Sequence, residues 1–127
     1  MKLYMLNSII GDNLQIILES IILIEERFSK INAPEKFIIS QDGLLLLDAV
    51  SMRLQVIGEL TKKIHKIKPS LLKEYSEIDW DKIIKLREII SHHYEMVDHE
   101  IIFDICRNYI PILKSTIQKI IDKENSN

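Results

Sequence analysis

Arginine, histidine and tyrosine are concentrated in one short segment of this chain, from Arg87 to Tyr94. An arginine can hold a phosphate through two parallel hydrogen bonds, and a histidine can move a proton near neutral pH. The phenol of Tyr94 adds an oxygen that can act as a nucleophile or as a hydrogen-bond acceptor. Arg87, His92 and Tyr94 therefore predict chemistry on a phosphodiester.

Two adjacent histidines compete for the proton-transfer role. At about 100° per residue, His93 falls nearer the apolar stripe of a helix, whereas His92 shares a side with Glu88, four residues earlier. We therefore assign the acid–base role to His92 and keep Glu88 and His93 as candidate supporting residues. On an ideal helix Arg87 and His92 lie about 140° apart. Either the helix loosens near its end, or two copies face each other across a cleft, which favours a symmetric homodimer.

Long amphipathic helices must position this segment. Apolar residues recur at helical spacing over about residues 7–31, 41–67 and 80–94, with Ser40 or Asp42 and then Asp79 as N-caps. Asp98 caps a further helix that Pro111 breaks or kinks, and a final amphipathic segment leads to a tail over about residues 122–127 that we expect to fray. The pattern predicts an all-α, antiparallel bundle of four or five helices.

One glycine lies inside the second predicted helix. Gly58 weakens a helix by about 1 kcal/mol relative to alanine. Its presence at this position predicts that a neighbouring helix or a partner chain approaches closely.

Composition limits the classes of protein that remain. The 127 residues are 46% hydrophobic and 28% charged, which predicts one compact domain over residues 1–127. A formal net charge of −2 argues against coating nucleic acid by general attraction, so any RNA contact must be local, and no DNA partner is expected. The lone Cys106 predicts a small buried side chain in a reducing cytoplasm. The longest apolar runs fall short of the roughly 20 residues that cross a bilayer, so no membrane span is expected.

Other chemistries find little support in the residues. No paired-cysteine or HExxH pattern is present and no glycine-rich phosphate loop occurs, so we expect neither a metal nor a cofactor. His65 lies in a lysine-rich stretch at the end of the second helix. That stretch has two interpretations: it guides RNA, or it is the ordinary preference of a helix C-terminus for cations.

Five blocks of residues occur in an order that resembles the HepT-like toxins of the HEPN superfamily, over nearly the full chain. The blocks are Leu47-Asp48-Ala49-Val50, Val56-Ile57-Gly58-Glu59-Leu60, Ile78-Asp79-Trp80, Leu86-Arg87 with His92 and Tyr94, and Ile110-Pro111-Ile112-Leu113-Lys114.

The resemblance implies a homodimeric HEPN bundle that cleaves RNA without a metal, with Arg87 and His92 as catalytic residues. It also implies that a minimal nucleotidyltransferase antitoxin attaches AMP to Tyr94 and silences the nuclease. The chain departs from the family pattern at Glu88, where an asparagine commonly follows the arginine. That departure keeps open a non-catalytic helical binding subunit of a nucleotidyltransferase complex, and a purely structural oligomerisation module is the third reading.

Overall fold

The computed structural model describes residues 2–93 and 96–126, of which residues 2, 3, 91–93 and 96 are described by their backbone. Three long helical stretches carry most of the described chain. The elements are α1 (Lys2–Phe28), a 3-10 helix (Pro34–Phe37), α2 (Gln41–Ile67), α3 (Pro69–Lys73), α4 (Trp80–Ile84), α5 (Leu86–Ile90), β1 (Ser91–His93), β2 (Met96–Val97), α6 (His99–Asp104), a π-helical turn (Ile105–Tyr109) and α7 (Ile110–Ser126). The all-α class is confirmed, with one short two-stranded ribbon added to it.

The α1/α2 hairpin is the framework of the bundle. Each helix is 27 residues long, and α2 has the length and the end that its apolar spacing predicts. Of the two N-cap candidates, Ser40 is correct, because its side chain accepts a hydrogen bond of 2.9 Å from the backbone N–H of Gly43. Gly43 itself lies so close to the carbonyl oxygen of Lys36 that a Cβ there would overlap it. The turn into α2 is therefore tightly packed.

One aliphatic core joins α1, α2 and the C-terminal helices. On α1 the buried residues follow helical spacing, as the sequence predicts, and α7 presents a matching row. The fully buried side chains that define this core include Leu14, Ile17, Ile21, Ile24, Leu54, Ile57, Ile64, Ile90, Ile102 and Ile110. By length and composition the Tyr4–Phe28 part of α1 would suffice to cross a membrane. Its buried row identifies it as a core helix of this fold.

The third predicted helix, residues 80–94, is not one helix. Asp79 caps it as predicted, accepting a hydrogen bond of 3.3 Å from the backbone N–H of Lys82. The helix is then interrupted at Lys85, whose backbone (φ −95°, ψ 15°) is not helical, and α5 ends at Ile90. The following Ser-His-His sequence has weak helix propensity, and it enters β1 instead.

The C-terminal helices form one nearly continuous helical rod, so Pro111 does not break the helix; the irregularity predicted at this proline takes the form of a π turn just before it. Proline has no N–H and its ring collides with the carbonyl four residues earlier. The chain widens to a π turn over Ile105–Tyr109, in which the N–H of Ile110 reaches the carbonyl of Ile105. α7 continues to Ser126, and Lys123 forms a 3.1 Å ion pair with Glu74, while the fraying expected over about residues 122–127 stays a prediction.

Two further ion pairs tie α7 to the rest of the bundle. Lys114 lies 2.8 Å from Glu25 of α1, and Lys119 lies 3.4 Å from Glu77 in the segment before α4. A backbone hydrogen bond lowers the pKa of the Glu77 carboxyl, and Thr116 and Lys119 act in the same direction. Because the folded pKa is depressed, this contribution to stability is present above the unfolded pKa and is lost as pH falls.

Candidate functional site

The short helix α5 carries the first part of the predicted motif. Leu86 and Ile90 are 3% and 0% exposed and anchor α5 in the core, whereas Arg87 and Glu88 are exposed. Among the described residues Arg87 has no ion-pair partner. Its guanidinium is therefore available to an anion from solution.

A close approach between backbones holds α4 and α5 against α2. A Cβ built on Gly58 would lie 2.9 Å from the carbonyl oxygen of Ile83 and 3.6 Å from the Cβ of Leu86. Gly58 thus lets α2 contact the segment immediately before Arg87. The close approach inferred from this glycine in the sequence is confirmed, and the neighbour is a helix of the same chain.

Gly58→Ala is expected to destabilise the fold, by about 1–3 kcal/mol, because the added methyl group overpacks against a backbone carbonyl. Gly11 is the matched control, since nothing lies within 4 Å of a Cβ built there. Gly11→Ala should stabilise α1 by about 0.5–1 kcal/mol through helix propensity alone. Urea unfolding of both variants measures the difference. Equal stabilisation of the two proteins would contradict the close approach.

The chain leaves the helix between the two predicted catalytic residues. Because α5 ends at Ile90, Arg87 lies on a helix while the backbone of His92 lies in β1. The angle of about 140° that an ideal helix would impose therefore does not apply. The helix thus ends before His92, as the first of the two possibilities considered from the sequence requires.

His92 lies at an irregularity of the ribbon. Ser91 pairs with Val97 and His93 pairs with Met96, so the register shift falls at His92. A bulge of this kind gives one strand an extra residue and redirects its side chains, and bulges are common next to active sites. Nothing in the sequence signals this bulge.

Asp98 closes the base of the same ribbon. Its backbone N–H donates a 3.0 Å hydrogen bond to the carbonyl of Ile90, the last residue of α5. Its side chain accepts hydrogen bonds of 3.0 and 3.1 Å from the N–H groups of Glu100 and Ile101 and so caps α6, as predicted. This residue joins the end of α5 to the start of α6 around the motif.

The remaining predicted residues divide into two groups. Glu88 lies beside Arg87 on α5, and His93 follows His92 in β1. Tyr94 lies outside the described residues, in the sequence between β1 and β2. Arg87 and the backbone of His92 thus lie in one continuous segment, which runs from α5 into the ribbon. The structure does not test the placement of Tyr94.

A cavity of about 460 Å³ opens on another side of α5. Its lining is mainly aliphatic and includes Leu86, Ile89, Ile101 and Ile105, together with Tyr109. Arg87 is not part of this lining, and Ile89 lies about 160° from it around the helix (two residues at 100° each). The cavity is therefore separate from the exposed motif surface.

The described residues offer no metal centre and no reactive thiol. No group of three or more histidine, cysteine, aspartate or glutamate side chains among them could hold a metal ion. Cys106 is 4% exposed, and burial raises the pKa of its thiol to about 12. A thiol with that pKa stays protonated near neutral pH and is a poor nucleophile.

Comparison with known proteins gives one consistent family. The ribonuclease HepT-like family matches residues 17–120, a range that contains Arg87, His92 and Tyr94. The chain belongs to the HepT-like family. No solved structure matches it.

Three curated proteins are similar to this chain. A protein of Thermococcus cleftensis named "Probable ribonuclease HepT" is 32% identical over 86% of this chain and 93% of its own length. The "Gamma-glutamylcyclotransferase and putative RNase MJ0434" of Methanocaldococcus jannaschii is 35% identical over 87% of this chain. "Putative RNase MJ0127" of the same organism is 34% identical over 58% of this chain. The chain spans 47% and 58% of the lengths of the two Methanocaldococcus proteins.

Proposed function

We propose that this HepT-like chain is a metal-independent endoribonuclease and the toxin of a toxin–antitoxin pair acting in the cytoplasm. Arg87 and His92 are its catalytic residues. One structural observation carries the proposal: α5 ends at Ile90, between the two residues. Arg87 is therefore exposed on a helix, and His92, five residues later, lies at the bulge of a strand. The family match and the relatives named as ribonucleases support the same class of reaction.

The proposed chemistry is an internal phosphoryl transfer. His92 takes the proton from a ribose 2′-hydroxyl, whose oxygen attacks the adjacent phosphorus, and the bond to the 5′-oxygen breaks. The leaving 5′-oxygen receives a proton, from His92 in its charged form or from a second histidine. Arg87 holds the non-bridging oxygens and stabilises the charge that grows on them. The products are a 2′,3′-cyclic phosphate and a 5′-hydroxyl.

A second copy of the chain completes the proposed site. Arg87 is exposed on a short helix, and the aliphatic cavity beside α5 lies on a different side of that helix. A two-fold axis near α5 would place two Arg87 and two His92 residues along one RNA-binding cleft. One histidine could then act as base and the other as acid.

The test is cleavage of a labelled RNA in EDTA. We expect the wild-type protein to produce fragments with 2′,3′-cyclic phosphate and 5′-hydroxyl ends, identified by mass spectrometry. The double variant Arg87→Ala/His92→Ala, purified in the same way, controls for contaminating nucleases. Fragments with 3′-hydroxyl ends, or equal cleavage by the double variant, would refute the proposal.

We further propose that a minimal nucleotidyltransferase antitoxin silences this nuclease by modifying Tyr94. The phenol oxygen attacks the α-phosphorus of ATP, pyrophosphate leaves, and AMP remains on the tyrosine. The added phosphate carries negative charge next to the motif, where it repels RNA and can pair with Arg87. This proposal rests on the family and on the position of Tyr94 two residues after His92.

Tyr94→Phe is expected to abolish this modification. Incubated with the partner enzyme and ATP, the wild-type protein should gain the mass of one AMP group, and the variant should gain none. Tyr109→Phe is the matched control, because Tyr109 is 48% exposed on a different element. Intact-mass spectrometry measures the mass of all three proteins after the incubation. Equal labelling of wild type and Tyr94→Phe would exclude Tyr94.

A second candidate function is a non-catalytic subunit that supports a nucleotidyltransferase. Glu88 favours it, because an exposed carboxylate beside Arg87 adds negative charge where a phosphate would bind. Under this alternative the protein takes AMP at Tyr94 but leaves RNA intact in EDTA. Glu88→Asn separates the two functions: it should raise the cleavage rate of a weakened nuclease and change nothing in a subunit without activity.

A further inference from the structure

The end of α2 carries a row of lysines. They lie at positions 62, 63, 66 and 68, all four are exposed, and the ion pairs between residues that the structure describes use none of them. A helix C-terminus favours cations in any case, so the number of lysines does not by itself indicate a function. The packing of α2 bears on the two interpretations of this stretch, because it divides the lysines between different surfaces.

Gly58 marks the line along which α2 contacts α4 and α5. At 100° per residue, the buried Thr61 and Ile64 lie about 60° and 120° around α2 on one side of this line, toward the core. Lys62 and Lys66 lie about 40° and 80° on the other side, where α2 is exposed. These two lysines therefore lie at the outer edge of the contact between α2 and the α4–α5 segment.

Arg87 lies on the same side of this contact as the two lysines. Leu86 approaches α2 at Gly58, and Arg87 follows Leu86 by about 100° around α5. The chain reverses at α3, so α4 and α5 run antiparallel to α2. In two antiparallel right-handed helices, residues that follow the line of contact by a rotation in the same sense lie on the same side of the pair. Lys62, Lys66 and Arg87 therefore line one groove on the outside of the bundle, which we call the outer groove.

The wall of the outer groove on α4 presents an aromatic residue opposite the lysines. Trp80, which is half-buried, lies about 60° from Ile83 around α4, on the groove side. It is three residues before Ile83 and therefore lies about 4.5 Å nearer the end of α2, close to the level of Lys62. The exposed acids of this segment, Asp81 and Glu88, lie about 160° and 200° from the line of contact. Among residues 80–90 no acidic residue therefore faces the lysines.

The charge of the outer groove changes along its length. At about 1.5 Å per residue, Lys62 and Lys66 lie about 6 and 12 Å beyond the level of Gly58, toward the end of α2. Asp48 lies about 80° around α2 on the same side of the line of contact, but about 15 Å in the opposite direction. Glu59 is exposed about 100° from the line and offsets part of the positive charge at the rim. The groove is therefore basic toward the end of α2 and acidic toward its start.

We propose that the outer groove binds the RNA strand next to the bond that is cut, with Lys62 and Lys66 as phosphate-binding residues. The inference rests on the proposed function, in which Arg87 holds the scissile phosphate where the groove begins. A basic groove with an aromatic residue in its wall is a common way to bind single-stranded nucleic acid. The strand runs from Arg87 toward the end of α2, because Asp48 repels phosphate in the other direction. A local row of this kind also suits a chain with a formal net charge of −2.

The test is the affinity for a short labelled single-stranded RNA, measured by fluorescence anisotropy in the His92→Ala background so that the RNA stays intact. We expect Lys62→Ala/Lys66→Ala to raise Kd about tenfold or more at about 50 mM salt. Each phosphate contact to a single strand contributes about 0.7 to the slope of log Kd against log salt, so the variant should lose about 1.4 of that slope. Its defect should therefore shrink about sevenfold between about 50 and about 200 mM salt.

Lys30→Ala/Lys63→Ala is the matched control, because it changes the net charge by the same amount outside the outer groove. Lys63 lies about 140° from the line of contact, and Lys30 is exposed at the other end of the α1/α2 hairpin. This variant should change Kd by less than about twofold, because distant exposed charges are screened. Lys62→Arg/Lys66→Arg should bind as the parent protein does, since arginine keeps both charges. Circular dichroism checks the helix content, and Lys62→Ala replaces the double variant if that protein does not fold.

Three results would overturn the outer groove. Equal losses of affinity in the two double alanine variants would mean general attraction without a defined path. No measurable RNA binding by the His92→Ala protein would exclude the substrate strand as the occupant. An unchanged Kd in Lys62→Ala/Lys66→Ala would exclude these lysines, and a simultaneous loss of AMP labelling would assign them to the partner enzyme. The proposed function fails separately: a protein that binds RNA through both lysines but leaves it intact in EDTA keeps the groove and is not a nuclease.

Discussion

His92→Ala is expected to reduce RNA cleavage in EDTA by about 10²–10⁴-fold, the range that a positioned acid–base residue contributes. The loss should appear in kcat, because proton transfer from the 2′-hydroxyl belongs to the chemical step. RNA affinity should change little. Single-turnover cleavage together with a binding titration measures both quantities.

Neighbouring substitutions sharpen this prediction. His93→Ala is the matched control, one residue away and also in β1, and it should keep most of the activity. Arg87→Ala should lower the rate of RNA cleavage by about 10²–10³-fold, the effect of losing one donor to a developing oxyanion. Arg87→Lys should recover only part of that rate, because lysine lacks the bidentate fork of arginine. If His93→Ala is inactive and His92→Ala is not, the two histidines have been assigned in the wrong order.

The second large effect concerns stability rather than chemistry. Phe37→Ala should lower the free energy of unfolding by about 3–5 kcal/mol, as expected for a fully buried phenylalanine. Phe37 is 0% exposed, and its ring lies 6.4 Å from that of Phe28, which in turn lies 5.2 Å from Phe103. This aromatic row joins the end of α1, the 3-10 helix and α6.

Urea unfolding, followed by circular dichroism, measures that loss. Ile39 provides the control two residues away, because it is 64% exposed. Ile39→Ala should change the free energy of unfolding by no more than about 0.5 kcal/mol. A loss of similar size in both variants would mean that Phe37 does not hold the turn between α1 and α2.

Most of the helical framework could be predicted from spacing and caps. The length of α2, its Ser40 cap and the caps at Asp79 and Asp98 follow from local chemistry that each segment carries within a few residues. The first helix begins and ends a few residues earlier than predicted, at Lys2 and Phe28. Helix ends without a strong cap are set by tertiary packing, which spacing alone does not report.

The candidate site was less predictable, because its geometry depends on contacts between distant segments. The interruption at Lys85 lies two residues after Ile83, whose carbonyl closely approaches Gly58, 25 residues earlier in the chain. The end of α5 at Ile90 is held by a hydrogen bond from Asp98, and the bulge at His92 depends on the pairing of β1 with β2. Residue types alone could name Arg87 and His92, but they could not show that the helix stops between them.

The π turn before Pro111 has a geometric consequence for the C-terminal rod. A π turn inserts one residue into the helical path, which rotates everything after it by about 100° relative to a regular α-helix. Before the turn, α6 packs on the 3-10 helix, α2 and α5, and after it α7 packs on α1. Because of this rotation, one continuous helical rod can contact α2 and α5 before the turn and α1 after it. The number of residues between Ile105 and Pro111 therefore sets which side of α7 faces the core.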